Sequence, residues 1–463
     1  MAKKLVFGPT FEEMLDPSKI NKEIRKKAIE AKKKKDALNP INLYNITWID
    51  ENNQPYYYVL PKNLTGVEAN IVLLYGKEFP TGSHKVGATY SCTIEKQVQG
   101  EIVPGVHKIV WPSTGNYGIG GAYVGPRMGY ESIVILPELM SKERFELIKL
   151  YGADYIKTPG CESNVKEIYD KAEELRRKDK RIRVLNQFCE FGNYRFHYYV
   201  TGNTIIRVVK ELKEKGIGNG RVSAFVSAMG SGGTIAAGER IKQEFYESKT
   251  IGLEPIQCPT IFLNGFGGHD IQGIGDKHVT WIHNVMMMDA IMCIDDVECK
   301  RGLQLVSEPG GMKYLRNELG IDKKDVKFMS NAFGISSICN IIGAIKTAKY
   351  YEMGENDVIF TIATDSIDRY YSVLEDMRKK YGKIDSRSAR AVHQTVFNPK
   401  LDWIEEGTFQ TRKRWFNLKY YTWVEQRGKS VEELVETRKP EFWIKQQKMV
   451  QEIDEKILEM RDS

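Results

Sequence analysis

Lys85 stands between an apolar run, Ile71 to Tyr75, and a helix predicted to begin near Val86. Pro80, Thr81, Gly82 and Ser83 supply turn and cap chemistry at that junction. A lysine at the start of a helix meets the positive end of the helix dipole, which disfavours its ammonium form. The neutral amine favoured there is the form that Schiff-base chemistry uses. Read alone, the same stretch also suits a solvated surface lysine. Three further motifs follow β-prone runs. Met229-Gly230-Ser231-Gly232-Gly233-Thr234 comes after Ala224–Ser227 and opens a helix at Ile235. Inward-turned N–H groups at a helix start make a phosphate cradle. Its spacing matches neither a dinucleotide fingerprint nor a nucleotide P-loop, so a phosphate without a nucleotide is the economical reading. Ser113-Thr114-Gly115-Asn116, after the strand ending at Trp111, offers hydroxyls and N–H groups to a carboxylate, and Asn116 can donate to a phenolate oxygen. Gly334-Ile335-Ser336-Ser337 offers a neutral serine able to face an unprotonated ring nitrogen. The first of these, taken singly, is equally a plain strand-to-helix turn, and the other two, taken singly, read first as helix caps.

The elements that must hold these residues alternate. Apolar runs at Ile71–Leu74, Ile109–Trp111, Ile133–Leu136, Ala224–Ser227, Ile251–Leu253 and Val358–Ile362 are each followed by a longer helical period. Those periods include Lys142–Leu150, Asn164–Arg177, Thr204–Lys215, Ile235–Phe245 and Ile338–Tyr350, and Val326–Met329 reads as a further β-prone run. Repeated strand–helix units with nearly continuous apolar strands predict an α/β, doubly wound fold of mostly parallel sheets. In such folds ligands bind beyond the carboxyl ends of the strands, where the glycine-rich turns fall. We expect an N-terminal extension over residues 1–61, a core over 62–381 and an aromatic, charged helical extension over 382–463. Within the core a smaller lobe, roughly 87–199, is expected to close over the site when substrate docks.

The chain has 463 residues and a net charge of +7, mild for its length and no argument for nucleic acid. The basic run Lys32 to Lys35 reads as a solvated helix face. Seven cysteines without a Cys-x-x-Cys pair point to reduced thiols and a cytoplasmic setting, and to neither a disulfide framework nor a metal site. No apolar stretch approaches the roughly 20 residues that span a bilayer. The aromatic tail is expected to pack on its own core or on a partner subunit.

A lysine, a phosphate cradle, a carboxylate loop and a neutral serine, all at strand ends, are the components of a pyridoxal phosphate site. From about Leu60 to Tyr370 the sequence resembles the fold-type II pyridoxal-phosphate enzymes, which share a tryptophan synthase β-like fold. Within them it is similar to the cysteine synthase (O-acetylserine sulfhydrylase) and cystathionine β-synthase group. The resemblance rests on Ser83-His84-Lys85, Ser113 to Asn116, Asn186-Gln187-Phe188 continuing to Asn193, His197, Thr201 and Gly202, and Gly230 to Thr234. Glu254-Pro255, Ile271-Gln272-Gly273-Ile274-Gly275, Gly334 to Ser337 and Asp365 to Tyr370 complete the series, in the family's order.

The resemblance implies roles. Lys85 would hold pyridoxal 5'-phosphate as an aldimine and then serve as the base at Cα. Asn116 would bond the cofactor's ring oxygen, and Gly230, Ser231, Gly232, Gly233 and Thr234 its phosphate. Ser336, with Ser366 as second candidate, would face the pyridine nitrogen. Ser113, Thr114, Gly115 and Gln187 would hold the substrate carboxylate, with Gly273 and Gly275 lining the opposite wall. A serine rather than a carboxylate at the pyridine nitrogen tilts the chemistry away from transamination. The implied reaction is β-replacement on a serine- or cysteine-derived amino acid through an aminoacrylate, with a thiol or sulfide as second substrate. The alternative is β-elimination, of cysteine desulfhydrase or serine/threonine dehydratase type. A non-catalytic ligand-binding subunit is the alternative of another class, and a homodimer is implied by the family. His84, Tyr117, the chain between about Ser307 and Lys327, and everything after Tyr381 depart from the simple cysteine synthases.

Overall fold

A computed structural model of the chain describes residues 6–113, 115–161, 164–265 and 267–462. The strands among them are β1 (Tyr57–Val59), β2 (Asn70–Tyr75), β3 (Lys108–Pro112), β4 (Glu131–Pro137), β5 (Asp154–Thr158) and β6 (Ile182–Val184). They continue with β7 (Ala224–Ala228), β8 (Lys249–Pro255), β9 (Ala290–Ile294), β10 (Val358–Ala363) and β11 (Ile404–Glu406). Seven form one sheet in the order β1-β2-β10-β7-β8-β9-β11, and four form a second in the order β5-β4-β3-β6. The second sheet is parallel throughout, and the first is parallel except where the edge strands β1 and β11 run antiparallel to β2 and β9. Every residue of β9 and β10 is buried, as a strand covered on both faces must be. The fold is α/β with two sheets, as the alternating pattern predicts.

Five strands had no clear sequence signal: the short edge strands β1 and β11, and β5, β6 and β9. β5 and β6 carry charged residues, and β9 lies inside a methionine-rich stretch that does not alternate. Val326–Met329 is not a strand. It lies within the helix Lys323–Ala332, whose buried Val326, Met329 and Ala332 recur at helical spacing.

Two helices bring the glycine-rich turns together. The helix Lys85–Val98 follows β2, and Asn116–Arg127 follows β3. They pack closely because the second presents glycines: a Cβ at Gly120 would lie 2.2 Å from Thr89 Oγ1. The terminal segments join the same structure. Val450, Ile453 and Ile457 of the helix Pro440–Asp462 share a core with Phe11, Met14, Tyr90 and Ile94.

Candidate active site

The turn after β2 is fixed from outside, since Arg369 donates to the carbonyls of Thr81 and Gly82. Ser83 Oγ accepts the Lys85 N–H at 3.3 Å, so Lys85 opens its helix with its side chain directed away from water. Lys85 Nζ donates to Ser231 Oγ at 3.2 Å. Burial pulls this amine down to about 8, against the attraction of Asp276. The dominant cause is thus desolvation, and the neutral amine argued from the helix dipole has a stronger origin in packing.

Ser231 is the hub of the glycine-rich turn after β7. Its hydroxyl also accepts from Asn193 Nδ2 at 2.9 Å and from the Gly233 N–H at 3.3 Å. Gly232 has φ +75°, and a Cβ there would lie 2.6 Å from the Cβ of His283, so only glycine fits the turn. Thr234 starts a short 3-10 turn, Thr234–Ala236, before the helix Ala237–Glu244, and its hydroxyl lies 3.4 Å from His84 Nε2. His84 is held well below the ordinary histidine range by burial and by neighbouring Lys85, so it is neutral beside the cradle.

After β3, Ser113 Oγ accepts the N–H groups of Gly115 and Gly118 at 2.9 and 2.7 Å and caps its own helix. Thr114 lies outside the described residues. Asn116 Nδ2 donates to Asp365 Oδ2 at 2.7 Å, and its carbonyl oxygen accepts from Arg144 Nη1 at 3.3 Å. After β6, the Gln187 carbonyl accepts from Asn193 Nδ2 at 3.0 Å, tying this loop to Ser231. Lys85, Ser113, Gly115, Asn116, Gln187, Gly230, Ser231 and Gly273 line one cavity, together with Tyr117, Phe188 and Asp276. Gly273 and Gly275 both have positive φ, and the Gly275 N–H donates to the Met229 carbonyl at 2.8 Å, setting that wall against the glycine-rich turn.

Ser336 is the second residue of the helix Ile335–Tyr350, and its hydroxyl is buried with no hydrogen-bond partner among the described residues. Ser366, the second candidate, already donates to Asp368 Oδ2 at 3.1 Å. Ser336 is not among the residues that line this cavity, and neither are Gly232, Gly233, Thr234 and Gly275. The buried amine of Lys85, bonded to Ser231 in a turn that admits only glycine at 232, fits a small group with an aldehyde and a phosphate.

Two features escaped the sequence reading. Asp276, one residue beyond the glycine run 273–275, brings a carboxyl into the cavity, and burial raises it to about 7 while Lys85 opposes the rise. The signal available was an acid directly after two close glycines. The other is a buried network around Arg144, from the helix Lys142–Leu150. Arg144 Nη2 donates to Tyr370 Oη at 3.0 Å, and Tyr370 Oη donates to Asp365 Oδ2 at 2.8 Å. Arg144 and Asp365 are both fully buried, 3.8 Å apart.

The two-sheet α/β fold, with a buried lysine bonded to a glycine-rich turn at a strand end, has the make-up of a pyridoxal-phosphate type of enzyme. Residues 62–310, more than half the chain, match the family "Pyridoxal-phosphate dependent enzyme". The chain belongs to that family of enzymes and uses its cofactor. It is 30% identical over 295 residues to a Staphylococcus aureus cysteine synthase, covering 63% of this chain and 84% of the relative. Among solved structures, a hydrogen sulfide-producing enzyme from Fusobacterium nucleatum is 25% identical with a TM-score of 0.56, covering 73% of this chain and 91% of that one. A cysteine synthase from Entamoeba histolytica shares the fold at 23% identity and a TM-score of 0.61, covering 77% and 95%. These relatives support chemistry of the β-replacement and β-elimination kind in general.

Proposed function

We propose that the chain catalyses β-replacement on an O-activated serine or a cysteine-like amino acid, with sulfide or a thiol as the incoming nucleophile. The observation that carries this reading is the buried amine of Lys85, 3.2 Å from Ser231 in the glycine-rich turn. Gly230 to Thr234 would hold the cofactor's phosphate, Asn116 its ring oxygen and Ser336 its ring nitrogen. When bound, pyridoxal phosphate supplies an electron sink for charge developing at the substrate's Cα. Lys85 takes and returns the Cα proton, and its depressed basicity keeps it competent near neutral pH. Ser113 and Gln187 orient the substrate carboxylate beside Gly115, so the Cα–H faces Lys85. Ser336 donates without carrying charge, which leaves the ring nitrogen unprotonated and favours departure of the Cβ substituent. All seven cysteines are thiols rather than disulfides, in keeping with a reducing, cytoplasmic setting.

Steady-state assays for pyruvate and for the thioether or thiol product, with and without added sulfide, test the reading. Sulfide is expected to divert turnover from pyruvate to the replacement product. Pyruvate output indifferent to any thiol would overturn it. β-Elimination is the second reading, and Asp276 favours it. A carboxyl that titrates inside the cavity can take a proton from water or give one to a departing thiolate.

A further inference from the structure

The segment Val279–His283 lies between the cofactor site and the C-terminal extension, and both sides grip it. On the extension side, Lys419 Nζ donates to the carbonyls of Trp281 and His283 at 3.0 and 2.6 Å. Trp423 Nε1 donates to the Val279 carbonyl at 2.8 Å. Three alternate carbonyls are therefore held by two buried side chains from the tail. On the core side, the Trp281 N–H donates to the Phe188 carbonyl at 2.9 Å, beside Gln187. Thr280 Oγ1 donates to the Ser231 carbonyl at 2.7 Å. The same segment backs Gly232, where an added Cβ would strike His283 and Thr280 first.

The Thr280 bond has a directional consequence. A trans peptide points its C=O and the following N–H in opposite directions, and no peptide bond among the described residues is cis. Holding the Ser231 carbonyl on Thr280 therefore turns the Gly232 N–H the other way, out of the wall and toward the concave side of the turn. That is the donor a phosphate oxygen needs. If Val279–His283 drifts, this peptide unit is free to rotate and the donor is lost.

We propose that Lys419 and Trp423 are positioning residues for the cofactor's phosphate: through Val279–His283 they set the Ser231–Gly232 peptide, so the C-terminal extension is part of the cofactor site. This rests on Gly230 to Thr234 holding the phosphate, as proposed above. The test uses the full-length holoenzyme and two readouts other than turnover. These are the rate at which pyridoxal phosphate is released into a trapping solution, and the 31P chemical shift of the bound phosphate. Lys419→Met removes two hydrogen bonds and is expected to speed release by about tenfold or more and to move the 31P signal. Trp423→Phe removes one and is expected to speed release by about threefold. Ile457→Ala is the control: Ile457 is a buried tail residue in a core that does not include Val279, Trp281 or Trp423, and its loss should lower the melting temperature while leaving release and the 31P signal unchanged. Native release and 31P shift in Lys419→Met would overturn the proposal, as would equally fast release from Ile457→Ala. If Lys419→Met does not fold, Trp423→Phe decides alone, with native release counting against the proposal. Gly232→Ala separates the two readings. A variant that keeps its cofactor with a native 31P shift would remove the phosphate assignment itself, whatever the tail does.

Discussion

At Lys85 the surroundings do what the residue type alone does not. An ordinary lysine amine titrates near 10.4. Burial beside Ser231 brings this one to about 8, and only the unprotonated amine attacks an aldehyde. The rate at which apoprotein captures added pyridoxal phosphate should therefore rise with pH through a midpoint near 8. Stopped-flow absorbance checks this, and Lys85→Ala should show no capture at any pH. Asp276 gives a second prediction. Its carboxyl titrates near 7, so if it serves as a base, activity rises as pH climbs through 7 and the carboxylate forms. Asp276→Asn should lose that ascending limb and shift product from pyruvate toward replacement; an unchanged profile would remove Asp276 from the chemistry. The lysine was legible in the sequence because turn residues, a strand end and a helix start converge on it. Asp276 was not, because a single acid in an irregular loop belongs to no periodic pattern.

Among the elements, the glycine-rich turns were read at their positions because strand ends followed by glycine and serine admit few alternatives. The Arg144 network was not. Arg144 lies in the first turn of a helix whose Lys142, Glu146 and Lys149 are exposed, and its burial depends on Gly115, where a Cβ would lie 2.2 Å from Arg144 Nη1. No pattern within one helix reports a contact that exists because a distant residue lacks a side chain. The network ties the helices after β3 and β4 to the segment after β10 through Asn116, Arg144, Tyr370 and Asp365. Glu143 adds two hydrogen bonds to Ser372, at 2.9 and 2.8 Å. Arg144→Ala would leave the Asp365 carboxylate buried without its cation, a change that typically costs about 3–5 kcal/mol. Urea unfolding at neutral pH should show that loss, and a loss under about 1 kcal/mol would mean the pair is energetically idle.

Across the whole molecule the two ends of the chain hold each other. Asp454 accepts the N–H groups of Phe11 and Glu12 at 2.7 and 3.0 Å, capping a helix at the opposite terminus. Arg461 donates to Glu13 and to the Gly8 carbonyl. Asp454→Ala should lower stability by about 1–2 kcal/mol, the usual loss for a removed cap, measured as a shift in the unfolding midpoint. The tail's aromatic residues read from sequence as packing residues, and Trp415, Trp423 and Trp443 are buried. Which surface they cover could not be read, since that depends on where the sheet's strands come to lie. The sheet order carries a consequence for how this protein is made. The strand leading to Lys85 takes as its parallel neighbour a strand from far downstream, with Asn70 bonded to Asp357 across 287 positions. A ribosome must therefore release nearly four-fifths of the polypeptide before β2 finds its place, so vitamin loading belongs to the finished molecule and nascent chains should emerge colourless.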